Sequence, residues 1–377
     1  MIAKERLVEE FMELVRVDSE TKHEQEISQV LKRKFEALGL QISEDDAAAK
    51  TGHGANNLFA LWEAEGTDPT APTIFFTCHM DTVTPGAGIK PQLDADGYIR
   101  SDGTTILGAD DKAGISAMFE AIRIVKERAI PHGRIQFVIT VGEESGLLGA
   151  RSLDGSKLEA KFGYALDSNG KIGDIAVAAP TQAKVTIKMH GRSAHAGVNP
   201  EDGISAIQVA AKAIARMPLG RIDKETTANI GRFEGGGATN VVCDFVKLEA
   251  EARSIVQHKL DKQIEAMRAA VQSAAEEFGA RGELESHVIY PAYQYDDEDP
   301  VVQLAKKAIT AIGCTPRTFH SGGGSDANIF NGLGIPTVNL AVGYENIHTT
   351  KEQIKVEDLV KTTELVVEII KQAAAIR

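Results

Sequence analysis

Apolar positions along the chain follow two rhythms. At the amino end, "MIAKERLVEEFMELV" spaces them at helical intervals and predicts an amphipathic helix. A second helix is predicted to open with a capping box, Thr21 to Glu24, and to stop at "EALGL" with Gly39 as its cap. Short apolar runs without strict alternation come next: "TIFFTC" (73–78), "RIQFVITV" (134–141), "KFGYAL" (161–166) and "TVNLAV" (337–342). Helical stretches separate them, among them "AGISAMFEAIRIVKER", "VVQLAKKAITAIG" and a last helix from about Val356. Apolar runs set between helices predict an α/β fold, a mixed but largely parallel sheet covered on both faces.

Between residues 181 and 293 the rhythm changes. "AKVTIKMHG" alternates apolar and polar residues, as a half-exposed strand does. A helix from about 203, strands near 226–234 and 245–254, a helix over 258–279 and the strand "ELESHVIY" follow. This βαββαβ order predicts a ferredoxin-like α+β domain, 181–293, inserted into a domain made of 1–180 and 294–377. The α/β rhythm resumes after it, which favours insertion over a simple extension of the larger sheet.

Composition narrows the class. A chain of 377 residues is long for one core, which agrees with two domains. Its 43% hydrophobic and 25% charged residues are those of an ordinary globular protein. A formal net charge of −13 and the lack of a basic stripe argue against a nucleic-acid partner. No apolar stretch is long enough to span a membrane, and the first residues read as a helix, not a signal peptide. Cys78, Cys243 and Cys314 lie far apart without metal spacing, as reduced thiols of a cytoplasmic protein would.

The candidate chemistry sits where strands end. "TCHMDT" ends one strand, and period two puts His79 and Asp81 on one side of it. "GADDKAG" sets Asp110 and Asp111 at a helix start. "VITVGEESGL" ends an apolar run in Glu143 and Glu144, "YALDSNG" ends the next in Asp167, and His348 follows the last core strand. Singly, each has an ordinary explanation: Asp110 as a helix cap, Asp167 as a turn residue, His348 as a solvated loop histidine. Jointly they converge, because open α/β sheets bind ligands outside the carboxyl ends of their strands. Two imidazoles and several carboxylates in one crevice need a cation, or repulsion would destabilise the fold. Nitrogen and oxygen donors without thiolate suit zinc, cobalt or manganese, and this many ligands suits two ions bridged by one carboxylate.

"HMDTV", "GADDKAG", "GEESGLLGA", "ALDSNG" and "IHTT" together resemble the aminoacylase/carboxypeptidase-type dinuclear zinc peptidases, on their peptidase T-like side. The resemblance runs over nearly the whole chain and implies the fold of the zinc exopeptidases. It implies that His79, Asp110 and Asp167 bind one zinc, and Asp110, Glu144 and His348 the other, with Asp110 bridging. Asp81 would fix the His79 tautomer through the ring nitrogen the metal does not use. Glu143, left unligated beside the attacking water, would be the general base. The resemblance further implies a cis peptide between Asp110 and Asp111, and an inserted domain that serves as lid and dimerisation surface. The lid would bring His195 to an oxyanion, while Asn240 and Arg253 would hold a substrate carboxylate or backbone. "HSGGGSDAN" (320–328), with Gly323 and Ser325, would line the substrate cleft. "GHGANN" (52–57) imitates a dinucleotide fingerprint but lacks its third glycine and preceding strand. Cys78 is expected to pack in the core.

The expectation is a cytoplasmic, homodimeric metallopeptidase that releases N-terminal residues from short peptides, as a tripeptide aminopeptidase does. Its rivals are an N-acyl-amino-acid or other amide deacylase, or a carboxypeptidase, with the same centre. A non-catalytic module binding a small anion is a rival of another class, disfavoured by Glu143, since a mere binder needs no base.

Overall fold

The computed structural model of the chain describes residues 2–376. Its principal strands are β1 (Gln41–Glu44), β2 (Leu58–Trp62), β3 (Ile74–His79), β4 (Ile135–Thr140), β5 (Phe162–Ser168), β6 (Asp174–Ala179), β7 (Thr181–His190), β8 (Thr226–Gly235), β9 (Phe245–Ser254), β10 (Arg281–Tyr290), β11 (Arg317–His320) and β12 (Thr337–Ala341). Its principal helices are α1 (Lys4–Val15), α2 (Gln25–Ala37), α3 (Ala109–Glu127), α4 (Ala206–Arg216), α5 (Gln257–Phe278), α6 (Pro300–Ala311), α7 (Asp326–Gly332) and α8 (Val356–Ala374).

The chain divides into two compact units. The first comprises the chain up to Ala178, then Tyr295–Ser321, then the chain from Ser325 onward. Its strands lie in the order β1-β2-β4-β3-β5-β12-β6, with β11 beside β6. The central run β4-β3-β5-β12 is parallel, and antiparallel pairs flank it on both sides. Successive strand residues serve opposite faces. Phe76 joins the large core that includes residues of α1, α2, α3, α6 and α8, whereas Phe75 packs on Phe330 of α7. Rings carry the larger core across the sheet, Phe35 lying 4.5 Å from Phe119 and 5.8 Å from Phe137.

The second unit, Ala179–Gln294 with Gly322–Gly324, holds an antiparallel sheet in the order β8-β9-β7-β10. Inner positions of β7 and β9, such as Val185, Ile187, Val246 and Leu248, are fully buried against α4 and α5. The strand and helix order is the βαββαβ read from the sequence. Among the described residues no helix is long and apolar enough to cross a membrane.

One local expectation fails. α2 begins at Gln25 with no side-chain cap, so the box between Thr21 and Glu24 does not form. The Thr21 hydroxyl donates instead to Asp81 Oδ2 at 2.6 Å, and the Glu24 carboxylate accepts from the N–H groups of Lys22 and Gly54 at 3.0 and 2.8 Å. Bonds to an ionised carboxylate are roughly twice as strong as neutral ones, so these partners outcompete the cap. The helix end is as expected: Gly39 has φ +80°, and its N–H reaches Glu36 O at 2.8 Å. The Asp110–Asp111 peptide is cis, and so is Thr84–Pro85, which the sequence reading did not anticipate.

Candidate metal centre

Because β3, β4, β5 and β12 run parallel, their carboxyl ends share one edge of the sheet. There β3 ends in His79, β4 leads into Glu143 and Glu144, and β5 carries Asp167. Asp110 enters from the head of α3, where the backbone departs from helical angles, and His348 comes from the loop after β12 with φ +62°. His79 Nε2 lies 3.0 Å from Asp110 Oδ1 and 3.8 Å from Asp167 Oδ1. His348 Nε2 lies 3.2 Å from Asp110 Oδ2 and 2.9 Å from Glu144 Oε1. The five residues expected to hold metal are therefore gathered, with Asp110 between the two imidazoles.

Asp81 stands at the His79 ring nitrogen that faces away from Asp110, and it meets that nitrogen chiefly through its backbone. His79 Nδ1 is 2.9 Å from the Asp81 backbone carbonyl, while the Asp81 carboxylate stands farther off at 3.5 Å. The carbonyl thus holds the ring, leaving Nε2 toward Asp110. The carboxylate is occupied elsewhere: it accepts the N–H of Glu143 at 3.0 Å, the N–H of Glu144 at 3.3 Å, and the Thr21 hydroxyl. Two adjacent glutamates can end a strand because a buried aspartate anchors both their amides.

Sequence reasoning missed several supporting residues. Glu352 accepts the N–H groups of Leu107 and Gly108 at 2.8 Å and of Asp110 at 2.9 Å, fixing the segment that presents Asp110. Asn339 brackets Asp167, accepting its N–H at 3.0 Å and donating to its carbonyl at 2.8 Å; Tyr344 Oη donates to its carboxylate at 3.1 Å. Asp326, bonded to the Thr140 hydroxyl, is buried beside them. Their sequence signals were slight: Glu352 is one polar residue among several in a loop, and Asn339 is a single polar position inside the apolar run of β12.

The electrostatics test whether a divalent cation fits. Burial drives the Asp167 carboxyl well above its usual range, helped by the Asp110 charge, and burial does the same to Glu143, helped by Asp167. Burial also pushes Asp110 up, but hydrogen bonds from His348 and His79 outweigh it and hold that carboxylate low. His348 is raised to about 10 by Asp110 and then Glu144. The site thus gathers more buried carboxyl groups than two imidazoles can balance, and without a cation Asp167 and Glu143 hold their protons more tightly than free carboxyls do. Glu144 Oε1 is buried and, despite its 2.9 Å approach to His348, has no aligned hydrogen-bond partner. Two groups of donor atoms, His79–Asp110–Glu144 and His79–Asp111–Asp167, each fall within 4.8 Å of one another. Nitrogen and carboxylate donors so placed fit a borderline divalent ion. Asp111 differs from the expected set. Its Oδ2 accepts the His79 N–H at 3.3 Å from the interior, whereas Asp110 meets both rings, which favours Asp110 for the shared position.

The other expected site residues are distributed as follows. His195, Asn240, Arg253 and Gly323 belong to the second unit. His195 is exposed and pairs with Val241 in an isolated bridge, while the Ala196 N–H donates to Asn240 O at 2.9 Å. Arg253 is engaged by Glu251 at 2.8 and 3.1 Å and approaches Tyr290 Oη, which also accepts the Gly324 N–H at 3.2 Å. Ser325, in the first unit, caps α7 and accepts from Asn339 Nδ2 at 3.1 Å. Cys78 is buried, with Sγ 4.0 Å from Leu166 O.

Comparison with known proteins agrees with this geometry. Residues 75–372 match the family model of peptidase family M20/M25/M40. The crystal structure of aminopeptidase PepT from Bacillus cereus ATCC 10987 superposes with a TM-score of 0.94 at 61% identity, covering 99% of both chains. A tripeptidase from Staphylococcus aureus subsp. aureus mu50 gives 0.96 at 49% identity, again over 99% of both. The uncharacterized protein YqjE of Bacillus subtilis (strain 168) is 60% identical over 99% of this chain and 100% of its own.

Proposed function

This chain belongs to the peptidase family M20/M25/M40, and on that premise we propose that it releases the N-terminal residue of short peptides with the aid of two zinc ions. It is a hydrolase of peptide bonds. The finer reading is carried by one observation, the convergence of His79, Asp110, Glu144, Asp167 and His348 with Glu143 beside them. The names of its relatives, an aminopeptidase and a tripeptidase, support short substrates and attack near the amino end.

His79, Asp110 and Asp167 would hold one ion, and Asp110, Glu144 and His348 the other; cobalt or manganese would suit the same donors. When bound, the ions supply Lewis-acid polarisation of the scissile carbonyl and lower the pKa of the attacking water. Among the described residues, neither imidazole of the centre pairs with Glu143, so its carboxylate is free to move a proton. Glu143 takes the proton of the water and delivers it to the leaving amine. Asp81 keeps Glu143 at its post through the backbone, and its carbonyl keeps the His79 ring in register.

The second unit serves as lid and dimerisation domain of a homodimer. His195 stabilises the oxyanion, Asn240 and Arg253 hold the substrate backbone or carboxylate, and the 320–328 loop, with Gly323 and Ser325, lines the cleft. Three unpaired cysteines support a cytoplasmic setting. Rates on trialanine, its N-acetylated form and an N-acetyl amino acid test the reading. A strong preference for the free amine is expected, and equal or faster hydrolysis of the blocked substrates would make the chain a deacylase or carboxypeptidase.

A further inference from the structure

The segment 52–57, "GHGANN", has no part in the chemistry above, yet it lies against the turn that carries the two glutamates. His53 is only 5% exposed. Its Nε2 is 3.0 Å from Ser145 Oγ and its Nδ1 is 2.8 Å from Thr51 Oγ1. The Ser145 hydroxyl donates back to Gly142 O at 2.9 Å. The imidazole also fills the space over Gly142, which has φ +57°, so that a Cβ there would stand 2.2 Å from His53 Nε2. One ring therefore touches the residue before Glu143 and the residue after Glu144.

Asn57 completes the grip at the ends of the same turn. Its Oδ1 accepts the Val141 N–H at 3.1 Å, and its Nδ2 donates to Gly149 O at 2.9 Å. The turn has glycines with positive φ at 142 and 146, +57° and +95°, and glycine is the residue with most conformational freedom to lose. Left alone, such a turn could direct its two carboxylates in several ways. Asp81 anchors the amides of Glu143 and Glu144, and His53 restrains the residues on either side of that pair.

We propose that His53 is a positioning residue that fixes where Glu143 and Glu144 point, and so acts on both proton transfer and metal retention. The proposal rests on the roles given above to those two glutamates. Side chains that orient ligands from behind typically matter 10- to 100-fold in activity or metal affinity.

The test compares the full-length parent with His53→Ala and His53→Gln, using trialanine as substrate and a chromogenic chelator competing for zinc. His53→Ala is expected to lower kcat by about 10- to 100-fold with KM changed by less than about twofold, and to weaken zinc retention by about tenfold. His53→Gln, which keeps a polar group toward Ser145, is expected to recover most of both. In a Glu143→Ala background held at saturating zinc, adding His53→Ala should lower the residual rate far less than it lowers the parent's, because the base is already gone, while zinc retention should still weaken by about tenfold, because Glu144 is still there to be misplaced. A His53→Ala protein that melts earlier but keeps parental kcat and zinc retention would make His53 a core filler and overturn the proposal. Should His53→Ala not fold, Ser145→Ala removes only the hydroxyl of the same contact: a fall in kcat supports the proposal, and parental values overturn it. A parent that retains no zinc, or a fully active Glu143→Ala, would overturn the functional reading itself, and this proposal with it.

Discussion

Glu143 and Glu144 are neighbours whose amides are anchored by one carboxylate, yet their side chains have different surroundings. Glu144 reaches to 2.9 Å from His348, whereas among the described residues Glu143 meets neither imidazole of the centre. With metal on Glu144 and the proton on Glu143, their mutants should behave differently. Glu143→Ala should lower kcat by about 10²- to 10⁴-fold while both metals remain, because only general-base catalysis is lost. Glu144→Ala should lose activity together with occupancy of one ion. Elemental analysis of the two purified variants checks this, and equal metal loss in both would refute the division of labour.

At the scale of elements, α2 is fastened to the sheet through Phe35, which packs at a tilt against Phe119 of α3 and stacks on Phe137 of β4. Phe35→Ala should cost about 3–5 kcal/mol of stability through the cavity it leaves. Denaturant unfolding should show a lower midpoint with an unchanged slope, and kcat/KM below the transition should stay near the parent value. The position of this helix was legible in the sequence, because its apolar spacing and the Gly39 cap are local signals. Its start was misread. Thr21 and Glu24 have capping-box spacing, but their partners are Asp81 and Gly54, remote in sequence. The same distinction runs through the site. His79, Asp110, Glu144, Asp167 and His348 could be read because each follows a recognisable strand or opens a helix, and parallel strands must converge at their ends. Glu352, Asn339 and His53 act through contacts made only after folding: Glu352 and His53 look like ordinary loop residues, and Asn339 is one polar position in an apolar strand.

For the whole molecule, the proposed function would make the second unit the pairing surface of a homodimer, and His195 would then serve the partner's site. Glu143→Ala and His195→Ala should each be inactive alone. Mixed and allowed to exchange subunits, about half the dimers would be heterodimers with one complete site each, so roughly a quarter of all sites should recover. A mixture that stays inactive despite demonstrated exchange would place His195 in its own chain's chemistry or in none. The claim on which everything else depends is that this chain hydrolyses peptides through a pair of metal ions. Stepwise addition of zinc to exhaustively metal-free protein, with bound zinc and trialanine hydrolysis read in the same samples, tests it most directly. Activity should be absent at the start and should rise until about two ions are bound per chain. Full activity in the metal-free protein would contradict the claim.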